Sequence, residues 1–179
     1  MNLEEKTLSS KVMYDGKIIK LTLDEVELAN GRTSKREVVH MNNAVCILAL
    51  DEKGNVPLVK QFRYPFASVM LELPAGKLDK GNENPEEAAL RELSEETGYE
   101  ANSIKYLGAF RPTCGAVTEV IHMYATDDIK KGEMHLDENE ILNVVYYSFD
   151  QVLEMVLSGE ITDGKTIAAV LKYHTLKNR

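Results

Sequence analysis

Apolar and polar positions change their period along this chain. Between residues 11 and 40 they alternate, with turn residues separating the runs. Lys11–Tyr14 is followed by Asp15-Gly16 and then by Lys17–Glu27, in which Ile19, Leu21 and Leu23 face one way. Alternation interrupted by Asp-Gly predicts a β-hairpin. Asn30-Gly31 marks a second turn, with Thr33–His40 as the return strand. A meander of this size buries little alone, so it is expected to pack on the following domain or on a second subunit. From Ala44 to Leu50 the chain is continuously apolar, the pattern of a strand covered on both faces. Asp51–Asn55 reads as a turn and Val56–Phe62 as the partner strand. Further strands are predicted over Ile104–Phe110, Val120–Thr126 and Ile141–Phe149. Asp150–Ser158 reads as a helix capped by Asp150 and ended by Gly159. Thr162–Lys177, with Ile167, Val170 and Leu171 at helical spacing, reads as a closing helix. The expected division is an N-terminal β region over 1–42 and a main domain over 43–179.

One helix stands apart. Asn84 can cap orphan N–H groups, and Pro85 follows where its missing N–H costs nothing. Gly98 suits a left-handed C-cap, so the helix is predicted over about residues 85–97. Glu86, Ala89, Leu90, Leu93 and Thr97 share one face, and the three apolar residues among them are expected to pack on a core. Glu92, Glu95 and Glu96 share the other. Like charges at i, i+3 and i+4 repel by roughly 0.2–0.5 kcal/mol per pair, and the C-terminal half of a helix disfavours anions. Arg91 alone cannot neutralise all three. A conflict of this kind points to a functional site, and a hard cation with oxygen ligands, Mg²⁺ or Mn²⁺, is the simplest compensation.

Composition narrows the choices. The 179 residues suit one domain, or one domain with a small appendage. No run approaches the roughly 20 apolar residues of a membrane span, and MNLEEKTLSSKV has no apolar signal-peptide core. A net charge of −8 argues against a nucleic-acid backbone as main partner. It leaves room for a small anionic substrate, because cations can reverse the field inside a cleft. Cys46 and Cys114 are expected to be free thiols in a reducing cytoplasm. There is no zinc spacing, no P-loop and no G-x-S-x-G.

The stretch Gly76, Glu83, Arg91, Glu92, Leu93, Glu95, Glu96, Gly98, Tyr99 resembles the Nudix box. Beyond it the chain resembles the ADP-ribose pyrophosphatase branch of that family. That likeness lies in Val12-Met13-Tyr14, Lys35–Val39, Gln61-Phe62-Arg63, Leu71–Gly76, Asp137–Glu140 and Ile161–Thr166. The resemblance implies an α/β fold, an α/β/α sandwich around a mixed sheet, preceded by the small antiparallel meander. It implies hydrolysis of the pyrophosphate bond of a nucleoside diphosphate sugar, ADP-ribose giving AMP and ribose 5-phosphate, with Mg²⁺ or Mn²⁺. Glu92, Glu96 and the carbonyl of Ala75 would hold metal. Glu95 would be a further ligand or orient water, and Glu140 an additional ligand. Arg91 would hold the glutamates, Glu138 would be the general base, and Arg63 would grip phosphate or terminal ribose. Glu119 matches a polar position near the cleft, and Glu83 reads as structural. The branch also implies a homodimer joined through the N-terminal strands.

Two departures matter. Six residues, Lys77–Asn82, separate Gly76 from Glu83 where the family has five. Cys114 stands where the ADP-ribose branch typically has proline, so another nucleoside diphosphate sugar stays open as substrate. Hydrolysis of a nucleoside triphosphate, or nucleotide binding without turnover, are the alternatives. In a third reading the acidic helix is a docking face for a partner protein.

Overall fold

In the computed structural model Ala44–Ala49 is a strand whose six residues are all buried, as the unbroken apolar run requires. The structure describes residues 2–81, 83–136 and 140–178. In chain order the strands are β1 (Lys6–Asp15), β2 (Lys20–Glu27), β3 (Thr33–His40), β4 (Ala44–Ala49), β5 (Asn55–Arg63), β6 (Ser68–Glu72) and β7 (Ala75–Lys77). Helix α1 (Pro85–Thr97) follows, then β8 (Tyr99–Ala101), β9 (Lys105–Phe110), β10 (Ile121–Thr126), β11 (Ile129–Lys131) and β12 (Leu142–Ser148). Helices α2 (Phe149–Ser158) and α3 (Gly164–Lys177) close the chain. No described helix is long and apolar enough to cross a membrane.

The chain forms two units. The first holds residues 1–43 together with 111–120. Its sheet runs β1-β2-β3, antiparallel throughout. Gly31, at φ +79°, makes the turn before β3, donating to the Leu28 carbonyl. Residues 111–120 return to this sheet: Val39 donates to the Ala116 carbonyl, and Thr118 donates back to Val39. Nothing in the spacing of 111–120 announces that return.

The second unit holds residues 44–110 and 121–179. Its central sheet has the order β7-β4-β10-β9, with β4 and β10 parallel and the outer pairs antiparallel. A second, antiparallel sheet runs β12-β5-β6. Alternate residues of β4 feed two cores, because side chains alternate across a strand. Val45, Ile47 and Ala49 pack with Ala88, Ala89 and Leu93 of α1. Cys46, Leu48 and Leu50 pack with Val152, Val156, Ala169 and Val170 of α2 and α3. Helices therefore cover both faces of a mixed sheet, as expected.

Two local readings are corrected. The α2 cap is Ser148, not Asp150: Ser148 accepts from the Gln151 N–H, and the Gln151 side chain accepts from the Ser148 N–H. This reciprocal capping box satisfies two orphan donors, and Asp150 falls into the first turn. On α1 the buried apolar residues are Ala88, Ala89 and Leu93, while Leu90 is only partly buried. The helix is rotated toward its acidic side.

Candidate active site

Helix α1 begins as its sequence dictates. Asn84 accepts from the Glu86 N–H at 2.9 Å, and Pro85 occupies the first turn. It ends at Gly98, φ +69°, whose N–H bonds the Ser94 carbonyl at 2.9 Å. Beyond that end, Gly132 donates to the Gly98 carbonyl and His135 to the Glu95 carbonyl, which ties residues 132–135, after β11, to the helix.

The acidic face of α1 is not solvated. Glu92 and Glu96 are 7% and 3% exposed. Arg91 reaches three carboxylates at once. It makes a two-point contact with Glu83, Nε–Oε1 2.8 Å and Nη2–Oε2 3.1 Å, and Nη1 donates to Glu92 Oε1 and Glu95 Oε2, each at 2.7 Å. The extra loop residue therefore leaves the Glu83–Arg91 pair intact. Glu96 takes a different partner: its Oε2 accepts from the Ala75 N–H at 3.0 Å.

Packing brings β7 against this face. A β-carbon on Gly76 would lie 2.0 Å from Glu92 Oε1, so a side chain there is incompatible with the Glu92 carboxylate as placed. Burial pushes Glu92 up to about 7, against the pull of Arg91, with Glu95 and Glu140 raising it further. Burial pushes Glu96 up to about 8; the Ala75 N–H opposes this, and Glu92 and Glu140 reinforce it. Glu140 is thus felt by both helical carboxylates.

Among the described residues, no group of three or more His, Cys, Asp or Glu is already spaced as a cation cage. The donor set still fits a hard divalent cation. Arg91 and the Ala75 N–H each commit one oxygen, and among the described residues Glu92 Oε2 and Glu96 Oε1 remain for a metal. A divalent charge would offset the burial that raises both carboxylates, and the repulsion added by Glu95 and Glu140 at Glu92 and by Glu92 and Glu140 at Glu96.

Beside this cluster is an ion group in which the sequence assigns a role to Arg63 alone. Glu72, on β6 and 1% exposed, is gripped at both oxygens by Arg63, Nε–Oε1 2.6 Å and Nη2–Oε2 2.7 Å. Lys165 of α3 donates to Glu72 and, at 3.0 Å, to Asp163. Burial works against the charge on Glu72, yet Arg63 and Lys165 hold its carboxyl below the ordinary range. The sequence did carry one signal: Glu72 is a lone charge between Leu71 and Leu73.

The predicted residues Arg63, Ala75, Arg91, Glu92, Glu95, Glu96 and Glu140 all lie in the second unit. Glu119 lies in the first, on the segment paired to β3, as does the exposed Cys114. Glu138 lies outside the described residues.

The chain is similar to known proteins along most of its length. A NUDIX domain model matches residues 40–170, and a model of the nucleoside diphosphate sugar hydrolase N-terminal domain matches 5–39. The chain is 41% identical over 178 residues to an ADP-ribose pyrophosphatase of Bacillus subtilis, covering 98% of this chain and 95% of that protein. It is 40% identical over 169 residues to a methanol dehydrogenase activator of Bacillus methanolicus, covering 93% and 91%. It is 37% identical over 163 residues to a GDP-mannose pyrophosphatase of Yersinia enterocolitica, covering 84% of each. The crystal structure of an ADP compounds hydrolase has the same fold, with a TM-score of 0.85 at 18% identity over 98% of this chain and 96% of that one.

Proposed function

Because the chain belongs to the NUDIX family and carries the N-terminal domain of nucleoside diphosphate sugar hydrolases, we propose that it hydrolyses the pyrophosphate bond of a nucleoside diphosphate sugar. ADP-ribose, giving AMP and ribose 5-phosphate, is the substrate we assign. The observation that carries this reading is the buried Glu92–Glu96 pair beside Glu140, on a helix whose neighbouring strand has only hydrogen at Gly76.

Enzymes of this family work with divalent cations, and we assign Mg²⁺ or Mn²⁺ here. Glu92, Glu96 and the carbonyl of Ala75 would hold the metal, with Glu95 and Glu140 as further ligands. When bound, it supplies Lewis acidity at phosphate oxygens and a more acidic water. Arg91 keeps the carboxylates in register through charge-assisted hydrogen bonds. Arg63, whose side chain keeps 38% of its area exposed, grips the substrate phosphates. Glu138 accepts the proton of the attacking water. The water oxygen bonds to one phosphorus, the bridging P–O bond breaks, and the other phosphate leaves with the bridging oxygen.

The same reading makes the protein a homodimer. All ten residues of β1 are exposed, Leu8, Val12, Met13 and Tyr14 among them. An edge strand carrying such side chains is a template for pairing. The free thiols Cys46 and Cys114 support a reducing cytoplasmic setting.

Product analysis with Mg²⁺ or Mn²⁺ across ADP-ribose, ADP-glucose, GDP-mannose, a dinucleoside polyphosphate and nucleoside triphosphates tests the assignment. The highest kcat/KM on ADP-ribose is the expected result. Preference for another sugar would keep the chemistry and make Cys114 informative. Tight nucleotide binding without turnover would overturn the enzymatic reading.

A further inference from the structure

We infer that Lys165 and Glu72 are positioning residues for the reaction, aiming the Arg63 guanidinium at the substrate. The group is continuous. Asp163 Oδ2 caps α3, accepting from the Thr166 N–H at 3.0 Å and from its hydroxyl at 2.6 Å. The Thr166 hydroxyl in turn accepts from the Leu73 N–H at 2.9 Å. Leu73 is two residues from Ala75, whose N–H holds Glu96. From the same turn of α3, Lys165 holds Glu72, and Glu72 holds Arg63 along its Nε–Nη2 edge.

Four charges in such a place are an expensive way to dock a helix. An apolar pair of similar volume commonly holds buried elements as well or better. What an apolar pair cannot do is orient a guanidinium. Two parallel bonds fix the plane of Arg63, and Lys165, with only 12% of its side chain exposed, fixes Glu72 in turn. The sum of Arg63, Lys165, Glu72 and Asp163 is neutral, so the group adds direction to Arg63 without adding net charge.

This inference rests on the proposed role of Arg63 in gripping phosphate, and a double-mutant cycle separates the two. Steady-state kinetics on ADP-ribose with Mg²⁺ would compare wild type, R63A, K165M, K165R and the double variant R63A/K165M, with thermal melts to verify folding. K165M is expected to raise KM about tenfold, the scale of one charge-assisted hydrogen bond, while kcat changes less than about threefold. K165R should recover most of that loss. In the R63A background K165M should change KM by less than about twofold, because its effect passes through Arg63. If K165M does not fold, Glu72→Gln, of nearly the same shape, carries the same cycle. A wild-type KM in folded K165M, or effects that multiply in the double variant, would overturn the positioning role alone. An R63A enzyme of unaltered KM would overturn the phosphate-gripping reading, and this inference with it.

Discussion

Gly76 faces the Glu92 carboxyl with no room for a side chain: a β-carbon on the glycine would fall 2.0 Å from the glutamate's Oε1 and 2.1 Å from its carboxyl carbon. Any side chain at this position therefore requires the carboxylate or the strand to shift. Gly76→Ala is predicted to push Glu92 off Arg91 or β7 off α1. Overpacking of this kind costs about 1–3 kcal/mol, and turnover should fall by more than the stability loss explains. Thermal melts and kcat on one preparation check this; a variant with native turnover would show that Glu92 needs no such approach.

Burial of the two carboxylates has a consequence for pH. Glu92 and Glu96 titrate near 7 and 8 in the folded chain, against an ordinary value of 4.5. A raised folded value contributes stability that is complete below the unfolded value and is lost as pH rises through the folded one. Metal-free protein should therefore melt at a lower temperature at pH 8.5 than at pH 6. Glu72 and Glu83, shifted downward, lose their contribution only in acid and do not affect this window. Melts in chelator check the slope. Mg²⁺ or Mn²⁺ should raise the melting temperature more at pH 8.5, since a ligand of the ionised state stabilises by mass action. A flat metal-free profile would contradict the burial argument.

Glu83 holds Arg91 from the loop side. Glu83→Gln removes the charge and keeps the shape. It is predicted to cost about 1 kcal/mol of stability, the scale of a partly exposed charged hydrogen bond. Turnover should fall several-fold as Arg91 loses its orientation, with substrate KM little changed. A KM effect alone would place Glu83 at the substrate instead.

The acidic helix shows how far sequence reasoning reached. Its cap, its register and its left-handed end follow from Asn84, Pro85 and Gly98, because those rules concern a few adjacent residues. The two cores on β4 were legible for the same reason: a strand cannot be apolar at every position unless both faces are covered. What escaped depends on chain segments far apart. Glu72 meets Lys165 across 93 positions, and Val39 meets residues 116–118 across nearly as many. No periodicity encodes such meetings. The α2 cap is ambiguous in the sequence because Ser148 and Asp150 are both good caps, and only the reciprocal bond with Gln151 decides between them.

Strand β1 tests the assembly. Val12→Lys places a charge on the exposed edge strand of the first unit. The expected outcome is a shift from dimer to monomer by light scattering, with a melt little changed. A variant that stays dimeric would move the interface elsewhere.

The most direct test is product analysis from ADP-ribose for wild type and Glu96→Gln, with and without Mg²⁺. The account predicts AMP and ribose 5-phosphate from wild type only with the metal. In Glu96→Gln turnover should fall by at least about 100-fold, the scale of removing one electrostatic contributor to a transition state, from a protein that melts no lower than wild type in chelator at pH 8.5. Undiminished turnover in Glu96→Gln, or metal-independent cleavage by wild type, would contradict the assignment of chemistry to this helix.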